Sequence, residues 1–339
     1  MTDKQEKKGW WRWGVNRWFV LLFIILSAIA AGKYPPVQPH VQLPPEPLTG
    51  ALFNVFGQDF AFTNTMLAML IADVILLLVG FGVYRAVKSG TLVLKGMSAA
   101  VEALLEALYN MTEGTAGKWA KFIFPWFATI TMLVLVVNWT ELIPGVDSIG
   151  FLHHSEHGYA VEDLGFAATI VKPAAGAEEA HVAEGAELFG LMPFVRVLST
   201  DLNFTVALAL IAVIMVQVAG FKAQGLGYLT KFLNVKTFFS KPIFGVIDFV
   251  VGLLELVSEF SKILSFAFRL FGNIFAGSVL LFVIGTLLGG MGLGFFQVGF
   301  LLLEFFVGLI QAIVFGMLTM TFMAQATQGH GEHHEEAHA

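Results

Sequence analysis

Apolar residues gather in runs at about 18–32, 64–84, 122–143 and 202–221, followed by two longer segments at 242–288 and 295–325. Several runs reach the roughly 20 residues that an α-helix needs to cross a bilayer. The pattern predicts an all-α polytopic membrane protein with about six membrane-inserted helices. Leu253 to Leu288 contains no proline. At about 1.5 Å per residue it would exceed 50 Å as one helix, against a hydrocarbon core of about 30 Å. The last two helices are therefore expected to be long and strongly tilted.

Polar positions inside these two segments are periodic. Asp248, Glu255, Glu259, Lys262, Arg269 and Asn273 fall 7, 4, 3, 7 and 4 residues apart, which puts them on one helical face. Gln297, Glu304 and Gln311 repeat every seven residues, with Gly308 between the last two. Arg269 stands between Phe268 and Leu270 in an otherwise apolar stretch. Its guanidinium keeps its charge at any accessible pH, and holding it at membrane depth costs about 2.5–3.5 kcal/mol on insertion scales. Packing alone does not require ionisable groups of both signs at that depth, whereas an ion path does. Ser261 and Ser265, then Gly272 and Ala276, are four apart, a spacing that admits a close helix neighbour.

Composition agrees with the pattern. The 339 residues are 57% hydrophobic and 13% charged, with mean hydropathy +0.76, which excludes an ordinary soluble protein. With no cysteine, thiolate catalysis, disulfides and Cys-ligated metal centres are excluded. No GxxxxGK[ST] run occurs, so the chain carries no recognisable nucleotide site. Basic residues cluster in the N-terminus and in the connections 85–121 and 222–241, whereas 144–201 is acidic. By the positive-inside rule the basic segments and both termini face the cytoplasm.

The segments are a basic cytoplasmic N-terminus (1–17), an anchor (18–32), a proline-rich extended outer connector (33–63) and two membrane helices with a basic loop (64–143). An acidic outer insert (144–201), a helical region bearing the stripes (202–325) and a His/Glu-rich disordered tail (326–339) follow. The first apolar run also fits a signal peptide cleaved after Ala30. An uncleaved anchor is preferred, because Trp10, Trp11, Trp13 and Trp18 form an interfacial aromatic belt. The insert reads as a solvated polar loop. A metal or proton-collecting role is the alternative for the insert, whereas the histidines of the tail lack the fixed spacing of a metal site.

The run from Ser265 to Gly277 (SFAFRLFGNIFAG) closely resembles the signature of subunit a of the rotary F-type ATP synthase. The resemblance extends to Arg196–Asn203 (RVLSTDLN), to Gln311 at its separation from the arginine, and more weakly to Asn138–Pro144 (NWTELIP), covering about 118–325. It implies a bacterial inner-membrane stator subunit that faces a ring of c subunits through its last helical hairpin. It also implies b-type peripheral-stalk subunits and other synthase subunits as partners. Arg269 would be the gating charge opposite the ring carboxylate. Asn273, Ser278, Glu304 and Gln311, with Asp201 and Asn203 near the mouth, would line an outer half-channel. Glu255, Glu259 and Ser265 would serve a cytoplasmic one.

No cofactor is implied. The translocated ion would be a proton, with sodium as the alternative. Some family members carry a carboxylate at the position of Ser278 and a histidine at that of Glu304, so Glu304 is the only acid of this pair. Asp73 matches no family role. A proton-coupled secondary transporter, with Arg269 binding an anionic substrate, is the competing function; inverted repeats would support it, and none relates the halves of the chain. A purely structural scaffold would make Arg269→Ala silent.

Overall fold

Long apolar stretches become helices, as the pattern requires. The structure, a computed structural model, describes residues 13–33, 44–55, 57–88, 96–163, 168–171, 188–232, 242–290 and 293–328. Among these lie α1 (Trp13–Lys33), α2 (Asn64–Lys88), α3 (Met97–Ala116), α4 (Ala120–Trp139), α5 (Leu202–Gln224), α6 (Pro242–Gly290) and α7 (Gln297–Thr327). Five helical stretches are long and apolar enough to cross a membrane: 64–88, 97–142, 202–230, 249–289 and 294–327. The expected first span forms α1, whose apolar stretch Arg17–Leu26 is shorter. At 49 residues α6 is one unbroken helix of about 74 Å.

Two predicted connections contain structure that hydropathy alone missed. Within 85–121 lies α3, whose Glu102, Glu106 and Glu113 interrupt an otherwise apolar pattern. Its Leu108 is buried with Ile123 and Phe127 of α4, and Leu104 and Leu105 pack against the same cluster. Gly117, at φ 50, ends α3 in a conformation that glycine adopts without steric cost. The outer insert, expected as a loop, holds β4 (Gly150–Asp163), β5 (Ala168–Val171) and β6 (Phe189–Pro193) in the sheet order β5-β4-β6, after a short β3 (Pro144–Asp147). Tyr159 and Val161 alternate on β4 and Val161 pairs with Ile170 of β5, a strand signal that small and acidic residues hide in composition. The described part of the proline-rich connector carries a hairpin, β1 (Phe53–Val55) with β2 (Gln58–Phe60), so it is not wholly extended. The N-terminal tryptophans before Trp13, Glu178, Glu179, Glu184 and Glu187 of the insert, and the histidines of the tail lie outside the described residues.

The chain divides into two compact units. One comprises Met1–Val41, Phe151–Met192 and Ser278–Leu303; the other comprises Gln42–Gly150, Pro193–Gly277 and Glu304–Ala339. The second unit holds the main core. There Val134 of α4, Ala209 and Ala212 of α5, Ala267, Leu270 and Ile274 of α6, and Ala312 and Phe315 of α7 are all 0–1% exposed. The alanines matter because small side chains let membrane helices approach closely, where dispersion replaces a hydrophobic drive between helices. At Gly316 a Cβ would meet Thr131 and come within 2.9 Å of the Phe127 ring, so the α7 backbone lies directly against these α4 side chains.

Candidate functional site

Core packing decides where Arg269 points. Phe266, Ala267, Leu270 and Ile274 turn inward on α6, so helical periodicity throws Phe268 and Arg269 outward, where both are exposed. Among the described residues the guanidinium meets one hydrogen-bond partner, donating from Nη2 to Ser265 Oγ at 3.4 Å. Ser261, Ser265 and Ala276 are exposed as well, and a Cβ built at Gly272 would meet nothing within 4 Å. The small-residue face beside the arginine is therefore open in this chain.

Running antiparallel to α6, α7 brings the second stripe against the first. Phe266 packs on Phe315 and Phe322, while Lys262 Nζ lies 4.6 Å from the centre of the Phe322 ring. Asn273 donates from Nδ2 to Gln311 Oε1 at 2.6 Å, which leaves the buried Gln311 Nε2 without a partner among the described residues. Two turns earlier on α7, Glu304 is 4% exposed and its Oε1 likewise has no described partner. Its head group lies over Gly277, where any Cβ would collide with the carboxylate. Gln297 faces α6 as well, donating from Nε2 to Leu281 O at 3.4 Å. Ser278, next after Gly277, is buried.

An uncompensated acceptor on Glu304 and an uncompensated donor on Gln311 share one helix face. Buried polar atoms normally find partners, and an orphan costs about 1–3 kcal/mol. Both orphans lie on the α7 face that meets α6.

Asn138 was not among the predicted site residues, yet it joins the two ends of this region. Its Oδ1 accepts from Ser199 Oγ at 2.7 Å, and its Nδ2 donates to the Gly308 carbonyl at 3.3 Å, between Glu304 and Gln311. Trp139 beside it donates from Nε1 to Phe305 O and stacks on the Phe305 ring. The signal available in sequence was an asparagine inside an apolar span, next to tryptophan. Two residues after Ser199, Asp201 caps α5 by accepting the Asn203 N–H at 2.9 Å. Asp201 is buried, whereas the Asn203 side chain is exposed.

The α6 stripe divides toward the other end of the helix. Glu259 is buried, ion-paired to Lys262 at 2.8 Å and accepting from Gln217 Nε2 at 3.0 Å; Gln217 Oε1 in turn accepts from Tyr228. Glu255 is only partly buried. One helical face thus meets α5 at the level of Glu259, opens outward at Arg269 and meets α7 at Asn273. The Asp248 side chain lies outside the described set.

Outside the spans, desolvation raises the Asp147 carboxyl from 3.8 to about 6, opposed by the nearby Arg196 charge and by a hydrogen bond from the Val197 backbone. A carboxyl whose pKa rises on folding holds its proton more tightly in the folded state. Its ionisation therefore costs stability as pH climbs from 3.8 to about 6, and the cost stays level above that. Asp147 also has φ 58, a left-handed conformation that asparagine tolerates. Asp147→Asn should therefore be more stable than the parent, by a margin that grows across this pH window and then levels. Thermal unfolding of the purified protein below and above the window measures it.

A family model described as "ATP synthase A chain" matches residues 66–324. A protein called "ATP synthase subunit a" from Teredinibacter turnerae is 31% identical over 268 residues, covering 76% of each chain. Another of that name from Mycobacterium ulcerans is 29% identical over 274 residues, 80% of this chain and 90% of its own. A third, from Desulfotalea psychrophila, is 38% identical over 143 residues, 42% of this chain and 55% of its own. The matched span contains the arginine, both polar stripes and the Asn138 junction, and on this evidence the chain belongs to the ATP synthase subunit a family.

Proposed function

We propose that this chain is the ion-translocating stator subunit of an ATP synthase membrane sector, coupling proton flow through two half-channels to rotation of a ring of c subunits. Nucleotide chemistry then belongs to other subunits. The observation that carries the reading is Arg269: a permanent cation on a long apolar helix, exposed beside an open small-residue face, with a serine as its described partner.

Ring carboxylates of another protein supply the missing counter-charge one at a time. Opposite charge within about 4–6 Å favours the ionised carboxylate, so a proton leaves as each site reaches Arg269. In lipid the carboxylate must be neutral, so the ring turns only after reprotonation from the other side. Asn273, Ser278, Glu304 and Gln311 line the outer half-channel, with Asp201 and Asn203 toward its mouth. Glu255, Glu259 and Ser265 serve the cytoplasmic half-channel. The protein sits in a bacterial inner membrane with both termini in the cytoplasm, held against the ring by a b-type peripheral stalk.

Gly277→Ala tests this without altering any ionisable group. The new methyl would displace the flexible end of Glu304, leaving the helices free to pack. Misplacing a reacting group by about 1 Å can cost up to about 10²-fold. ATP-driven proton pumping in membranes should fall about tenfold or more with the complex assembled, and unchanged pumping would argue against Glu304 as a carrier.

A further inference from the structure

Asp73 is an ionisable residue on a spanning helix without a place in the scheme above. Asp73 lies on α2 about 14 Å from its first residue, well inside a 25-residue apolar helix. It is only partly buried, and among the described residues no donor lies within hydrogen-bonding distance.

The inner face of α2 is already committed. Asn64, Thr65, Ala68 and Ala72 are its buried residues, and the two alanines pack with Val137 of α4 and with Leu198. Asp73 borders that seam and belongs to a different row, with Leu77, Gly80 and Tyr84 at intervals of four, three and four. Leu77 is 73% exposed and Tyr84 61%, and a Cβ at Gly80 would meet nothing within 4 Å. Only 11% of the apolar window of α2 is buried, against 50% for 97–142 and for 202–230. Lipid could cover the leucine and the tyrosine ring, but it offers a carboxylate no partner.

We propose that the α2 face bearing Asp73, Leu77, Gly80 and Tyr84 docks a transmembrane helix of another subunit, one that presents a lysine or arginine at the depth of Asp73. A cation is the chemistry that leaves neither charge uncompensated in hydrocarbon, and Gly80 lets the partner backbone come close. The proposal rests on the reading that this chain assembles with other membrane subunits, and the experiment separates the two.

Asp73→Cys and Ser261→Cys, each labelled with benzophenone maleimide in the intact complex and irradiated, would be analysed by mass spectrometry. Ser261→Cys should join a ring subunit. Asp73→Cys should join a different subunit, at a helix carrying a lysine or arginine at the cross-linked level. Asp73→Lys should lower recovery of that subunit with the complex, and changing the partner cation to aspartate should restore it. If Asp73→Cys labels only lipid or this chain, or a helix without a cation, while Ser261→Cys joins the ring, the docking surface is overturned and the functional reading stands. If the charge exchange fails to restore recovery, the docking surface is likewise overturned. If neither position reaches another subunit, both fail.

Discussion

Membranes carrying Glu304→Gln are expected to contain the assembled complex and yet to lose about 10²-fold in ATP-driven proton pumping, the scale on which a positioned acid–base group contributes. Glutamine keeps the size of the side chain and its place over Gly277, so the contact between α6 and α7 survives. What disappears is the one titratable group between Gln297 and Gln311 on that face of α7. Ser278 cannot take over, because a hydroxyl does not ionise in the accessible range. Proton uptake at acidic and neutral pH, measured beside subunit recovery, distinguishes a lost carrier from a lost structure. Pumping at the parental rate would remove Glu304 from the path.

Arg269→Ala is expected to have the larger effect, the complete loss of coupled pumping. Phe266, Ala267, Leu270 and Ile274 hold α6 in the core, while Arg269 itself contributes one long contact to Ser265. Removing it should therefore leave the fold intact. On the proposed mechanism the functional losses are two. A ring carboxylate arriving at this level no longer meets a charge that favours its ionised form, so it keeps its proton. The positive charge that opposed direct passage of protons between the half-channels is also gone, so leak should increase. Arg269→Lys should retain some coupling, because a point cation replaces the planar fork without restoring its geometry.

Much of this arrangement is legible in residue spacing. The sevenfold repeat of Gln297, Glu304 and Gln311 predicted one face, and all three side chains do lie against α6. The α6 stripe predicted a common face too, but spacing is blind to the neighbours a long helix passes. Glu259 meets Gln217 and Lys262, Asn273 meets Gln311, and Arg269 between them meets no other helix among the described residues. Asn138 was missed because its two partners lie 61 and 170 residues away, and long-range pairing leaves no periodic trace. The α3 helix escaped because three glutamates dilute its hydropathy, although Leu104 and Leu108 fall on one face. In the outer insert, strand alternation over few residues was outweighed by small and acidic composition. Asp73 was visible as a charge within an apolar run, and its outward position came only from the packing of Ala68 and Ala72.

The most direct test of the central claim is proton flux in sealed vesicles bearing the complete complex, with wild type and Arg269→Ala compared at equal subunit content. The account predicts ATP-driven acidification in the wild type, none in the mutant, and faster collapse of an imposed pH gradient in the mutant. Normal coupled acidification by Arg269→Ala would contradict it.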